Sequence, residues 1–173
     1  MPKWDPRMRK DYPPAIQAIW KNDLAALESL LGDPKRINER DPDGRTPLMA
    51  AAIDSKLAAI KLLLSAHAEV DLQDPDGWSA LHFAAQEKSC DVCAALLDAG
   101  ARHDITNSRG ATPLFVAVIN YRGSGEIITL LRSRGADPLA ANAKGISPCS
   151  LARGIANYDV AKFFTDVAWT KNA

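Results

Sequence analysis

The feature that most constrains this chain is a ten-residue segment that returns in register. Asp43-Gly44-Arg45-Thr46-Pro47-Leu48-Met49-Ala50-Ala51-Ala52 recurs as Asp76-Gly77-Trp78-Ser79-Ala80-Leu81-His82-Phe83-Ala84-Ala85 and as Arg109-Gly110-Ala111-Thr112-Pro113-Leu114-Phe115-Val116-Ala117-Val118. A degenerate copy reads Lys144-Gly145-Ile146-Ser147-Pro148-Cys149-Ser150-Leu151-Ala152. Gly44, Gly77 and Gly110 stand 33 residues apart, and Gly145 follows 35 beyond. A second segment keeps the same period, with Leu62-Leu63-Leu64, Leu96-Leu97 and Leu130-Leu131 in matching places. Self-similarity at this spacing marks a unit that cannot bury its apolar face alone and must stack on its copies.

Each copy carries its own helix-start chemistry. Thr46, Ser79, Thr112 and Ser147 offer a hydroxyl to the free amides of a first helical turn, and Pro47, Pro113 and Pro148 suit a first helical position that needs no amide hydrogen. Ala51, Ala84, Ala117 and Ala152 are small enough to let helices approach closely, while Leu63, Leu96 and Leu131 are expected to fill the layer between units. Gly100 and Gly135 fall where a second helix would end in a left-handed residue. Residues 13–31 read as a helix pair ahead of the first full copy, and residues 159–164 as a closing helix. Terminal units of a stack must present a solvent face and are atypical, which brings the count to five.

The pattern resembles the ankyrin-repeat family, in which a turn and two helices form a unit of about 33 residues carrying Thr-Pro-Leu-His-x-Ala. The resemblance implies an all-α solenoid of stacked helix pairs with protruding turn or hairpin loops. One domain is expected over residues 13–168, with units at about 13–42, 43–75, 76–108, 109–143 and 144–168. An amino-terminal arm (1–12) holds Lys3, Arg7, Arg9 and Lys10 among Trp4, Met8 and Tyr12, and residues 169–173 form a tail.

Three departures stand out. His67 replaces the glycine of later copies, which predicts either a left-handed residue at a cost of about 1 kcal/mol or a different turn. The unit 109–143 is longer by two residues; one is assigned to 120–125 and one to 132–134, with the glycine-rich stretch forming a surface loop. Cys149 and Ser150 stand where leucine and histidine are expected, so the last turn and helix should be less regular.

Composition and motifs exclude several function classes. Lysine plus arginine and aspartate plus glutamate balance at 21 each, without the cationic excess of a duplex-binding protein. No stretch approaches the roughly 20 apolar residues of a membrane span, the first residues lack a secretory core, and three cysteines cannot all pair. A cytoplasmic protein that binds neither membrane nor nucleic acid is expected. Cys90-Asp91-Val92-Cys93 has the spacing of half a zinc site or of a redox pair, but no second pair exists and Cys93 shares the packed register of Ile60 and Ile128, so a buried structural cysteine is expected. The Asp-Pro-Asp-Gly runs at 41–44 and 74–77 lack the distal glutamate of a calcium loop and read as turn closures. His82 belongs to the repeat motif, and His67 and His103 face no recognisable nucleophile. No catalytic residue, metal or cofactor is expected.

What remains is binding. The resemblance implies a concave surface made of turn tips and first helices. Register puts Trp20, Ile53, Gln86 and Ile119 in one row, with Lys21, Asp54, Glu87 and Asn120 beside it and Phe83 and Val116 in a partly open row. Trp20, Ile53, Trp78, Phe83 and Ile119 are the expected apolar anchors, with Arg45, Asp76, Glu87 and Arg109 setting orientation and Asn120 alongside. Charge is uneven: Asp41, Asp43, Asp74 and Asp76 mark the early turns, and Arg102, Arg109, Arg122, Arg132, Arg134 and Lys144 the later ones, a dipole suited to steering a charged partner. A partner protein is therefore expected, met by a chain that is monomeric when free. The lack of appended domains inclines the reading to a bacterial immunity protein that neutralises a cognate toxin. The alternatives are an adaptor or inhibitor of a kinase or transcription factor, and a scaffold subunit.

Overall fold

Signature hydroxyls open the helices in the computed structural model, which describes residues 11–155 and 159–167. Arm residues 1–10 and the tail 169–173 lie outside the described residues. Thr46 Oγ1 accepts from the Met49 amide (3.4 Å), Thr112 Oγ1 from the Phe115 amide (3.3 Å) and Ser147 Oγ from the Ser150 amide (3.1 Å). The helices are α1 (Pro14–Lys21), α2 (Leu24–Leu31), α3 (Pro34–Ile37), α4 (Pro47–Ile53), α5 (Leu57–Ser65), α6 (Ala80–Gln86), α7 (Cys90–Asp98), α8 (Pro113–Ile119), α9 (Glu126–Ser133) and α10 (Pro148–Gly154). A 3₁₀ helix, Asp159–Phe164, follows. No strand forms among the described residues, and no helix there is long and apolar enough to cross a membrane.

None of these helices exceeds nine residues, and isolated helices below about 12–15 residues are marginal in water. Stacking holds them. First helices form one row, α1 on α4, α4 on α6, α6 on α8 and α8 on α10, while second helices form another, α2 on α5, α5 on α7 and α7 on α9. Leu63, Leu96 and Leu131 are fully buried between units, as are Ala51 and Ala84. Cys93 lies at the same depth as Ile60 and Ile128, and burial pushes its thiol up to about 12. His67 adopts the left-handed conformation (φ 61°) that Gly100 (φ 89°) and Gly135 (φ 92°) hold in later units.

The long unit departs from expectation. Leu131 stands four residues before Gly135, as Leu96 does before Gly100, so the stretch 132–134 carries no insertion. Both extra residues lie between α8 and α9. That loop seats the end of the chain: the Phe163 ring sits against Gly125, where a Cβ would come within 1.8 Å of Cζ, and meets Tyr121 edge-on at 5.9 Å. Arg132 completes the seat, donating to the Phe163 carbonyl and to both oxygens of Asp166 (2.8 and 2.6 Å). The closing element is 3₁₀ rather than α, and Val160 and Phe164 bury its inner side.

Candidate functional site

Four turns project from the starts of the first helices, each closed from within by an Asp or Asn. Asp41 Oδ1 accepts from the amides of Asp43 (2.9 Å) and Arg45 (2.8 Å), and Asp74 Oδ1 from those of Asp76 (3.0 Å) and Trp78 (2.8 Å). Asn107 serves Arg109 and Ala111, and Asn142 serves Lys144 and Ile146. The last three turns are also bonded in succession, the Ser108 amide donating to the Asp76 carbonyl (2.9 Å) and the Ala143 amide to the Arg109 carbonyl (3.0 Å), whereas Pro75, at the matching place between the first two, has no amide hydrogen to give. They meet so closely at Gly77 (φ 78°) that a Cβ would lie 2.9 Å from the Asn107 Cα.

His82 ties this row to the helices. Its Nδ1 accepts from the Ser79 amide (3.2 Å), which leaves Nε2 to donate to the Ala111 carbonyl (2.9 Å) in the next turn. Burial holds the imidazole pKa below its usual value. The site is therefore a stiff row of turns facing the first helices.

Expected binding residues gather in two clefts on this face rather than in one row. The amino-terminal cleft, about 110 Å³, is lined by Tyr12, Trp20 and Ile53 with Asp43, Arg45 and Asp54. Tyr12 and Trp20 meet edge-on at 4.9 Å, and burial, then Asp43 and Asp41, raises the Tyr12 hydroxyl pKa. The carboxy-terminal groove, about 670 Å³, brings together Trp78, Arg109, Ile119 and Asn120 with Phe115, Ile146, Leu151 and Lys144. Gln86, in the middle of the expected apolar row, contributes an amide to the groove wall.

Between the clefts, packing closes the surface. Phe83, expected to be partly open, is only 6 % exposed; Val116, with the same expectation, is also buried but lines the carboxy-terminal groove. The half-buried Trp78 ring lies 5.2 Å from Phe83 and covers it, with the Arg45 guanidinium 5.5 Å from the Phe83 ring. Arg45 also reaches Asp43 (3.6 Å) and Asp74 (4.0 Å), so its charge is engaged within the chain. Asp76 and Glu87 are exposed but line neither cleft; Glu87 accepts from Gln86 Nε2 (3.0 Å).

The expected charge dipole is weaker than the sequence implies. Asp41 and Asp74 are buried as turn closers, and burial pushes the Asp41 carboxyl up against the pull of its backbone donors. Arg102, Arg132 and Arg134 are paired with Asp104, Asp166 and Asp98.

Ile146 and Leu151 are absent from the expected set although both carry a positional signal. Ile146 follows its turn glycine as Trp78 does, and Leu151 occupies the register of Phe83 and Val116. Tyr12, assigned to the arm, lines the amino-terminal cleft instead. Among the described residues no group of three or more His, Cys, Asp or Glu is arranged to hold a metal ion.

Comparison with known families matches residues 15–107 to a model described as ankyrin repeats in three copies, and residues 109–143 to a single ankyrin repeat. No curated protein matches the chain.

Proposed function

The chain belongs to the ankyrin-repeat family, and on that premise we propose that it acts by stoichiometric, non-catalytic recognition of a folded protein through the face bearing the two clefts. Ankyrin repeats are protein–protein interaction modules, and one observation carries the choice of face. Ile119 (51 % exposed) and Ile146 (38 %) are two of the three exposed large hydrophobics among the described residues, and both open onto the groove beside Trp78. Apolar side chains converging in one concave place mark a binding site, and tryptophan is enriched among residues that dominate binding energy.

The finer reading is one dedicated partner whose active surface is covered, as a bacterial immunity protein covers its toxin. The last three turns, bonded in succession, support it by offering one stiff stretch of that face. An adaptor for two partners, such as a kinase or transcription factor and its target, draws support from the closure at Phe83, which separates the two clefts.

Capture of partners by the tagged chain from its native cells, with Ile119→Asp, Trp78→Ala and Ile53→Asp alongside, tests these readings. We expect one dominant partner in a one-to-one complex, lost with Ile119→Asp and weakened by about 2 kcal/mol or more with Trp78→Ala. Inhibition of a toxic enzyme by the purified chain would carry the immunity reading. Two partners, one sensitive to Ile119→Asp and the other to Ile53→Asp, would favour the adaptor. A partner retained by all three variants would remove this face from the site.

A further inference from the structure

We infer that the carboxy-terminal groove takes an apolar side chain from a partner segment that carries carboxylates beside it; this rests on the concave face being the binding face. Phe115 and Leu151 help line the groove, and Trp78, Ile119 and Ile146 make it large enough for an aromatic or branched residue. Among the described residues its charged lining residues are Arg109 and Lys144, and no carboxylate lines it. Both cations are exposed, and neither is ion-paired among the described residues. They sit on adjacent turns joined by the bond from the Ala143 amide to the Arg109 carbonyl, so two like charges share one rim with no ion-pair partner among the described residues.

Substitution along the turn row points the same way. The residue before each turn glycine changes from Asp43 and Asp76 to Arg109 and Lys144. The turn closer changes from Asp41 and Asp74 to Asn107 and Asn142, which make the same backbone bonds without the negative charge. Over the groove, both positions have lost their acid. Gln86 and Asn120 complete the walls with neutral amides whose nitrogens already donate to Glu87 and to the Val116 carbonyl (2.9 Å) and keep one hydrogen each for a carboxylate or backbone oxygen. A cationic rim around an apolar pocket selects an acidic segment bearing a hydrophobic anchor and rejects a basic one.

The test selects displayed random peptides of about twelve residues against the full chain, against Arg109→Glu/Lys144→Glu and against Ile119→Asp, with circular dichroism confirming that each variant folds. The expected consensus on the parent is an aromatic or branched apolar residue next to Asp or Glu. Binding of such a peptide should weaken with added salt and fall about tenfold or more on the charge-reversed variant, which should itself select Lys or Arg beside the same anchor. Peptides lost with Ile119→Asp yet indifferent to charge reversal would overturn the acidic requirement and leave the concave reading standing. Peptides indifferent to all variants, or no enrichment at all, would overturn the proposal; the sensitivity of the captured cellular partner to Ile119→Asp then decides separately whether the concave reading falls with it.

Discussion

Single residues carry two of the device-like features of this fold, and both are histidines. His67 ends α5 in a left-handed conformation (φ 61°), with its amide on the Leu64 carbonyl (3.0 Å) and the Ala68 amide on Leu63 (3.0 Å). A side chain there costs about 1 kcal/mol, partly offset in a glycine variant by the freedom glycine gains when unfolded. His67→Gly should therefore raise stability by several tenths of a kcal/mol to about 1 kcal/mol; a lower urea midpoint would sink this account. His82 works through protonation. It must stay neutral to accept from Ser79, and burial depresses its folded pKa. Below about pH 6.5 the unfolded chain binds a proton that the folded chain refuses. The stabilising contribution of neutral His82 is thus complete above that pH and shrinks as pH falls toward the depressed value, by up to about 1.4 kcal/mol per pH unit. His82→Leu should cost about 1–3 kcal/mol at neutral pH and flatten the slope below about pH 6.5. Equilibrium unfolding across that range decides it, and an unchanged slope would assign the titration to another group.

At the scale of elements, helix starts were legible because capping is local: a hydroxyl three residues before the amide it serves, with a proline at the first helical position, suffices. The short α3 carried the same kind of signal, Asp33 accepting from the Lys35 amide with Pro34 at the first position, and is absent from the sequence reading. The use of the insertion was not legible at all. Gly125 is glycine because Phe163, far along the chain, rests on it, and no local pattern announces a contact at that separation. Nor does a short apolar run distinguish the 3₁₀ helix Asp159–Phe164 from an α-helix, since both bury residues three or four apart. The seat makes a prediction about order of unfolding. Gly125→Ala should displace Phe163 from Tyr121 and destabilise the carboxy-terminal end by about 1–3 kcal/mol, the cost of overpacking. Amide exchange should then quicken in 148–155 and 159–164 while α4 to α7 keep their protection; uniform acceleration would mean that this end does not open separately.

For the whole molecule, periodicity decides the architecture and leaves the site half written. Register assigns Trp20, Ile53, Gln86 and Ile119 to equivalent positions, but identity at each position decides whether the surface opens or closes. Phe83 is large enough to fill its place and be covered by Trp78, whereas the residues one unit on, Val116 and Ala111, are smaller and line the groove. That outcome depends on packing between units and is invisible to a period. The same dependence makes the stack cooperative, because each unit is stabilised chiefly by its neighbours. Leu96 lies fully buried on α7, which packs against α5 on one side and α9 on the other. Leu96→Ala removes methyl groups from both interfaces and leaves a cavity, at an expected cost of about 2–5 kcal/mol. Since the groove draws on α6, α8, α10 and the turns between them, weakening this central layer should also loosen the site. On warming, the variant should lose its captured partner below the temperature at which the parent does, with the loss tracking its own melting curve. Trp78→Ala, by contrast, should weaken binding at temperatures where its helices remain intact. If Leu96→Ala melts like the parent, the layer between units is not what holds the turns in their row.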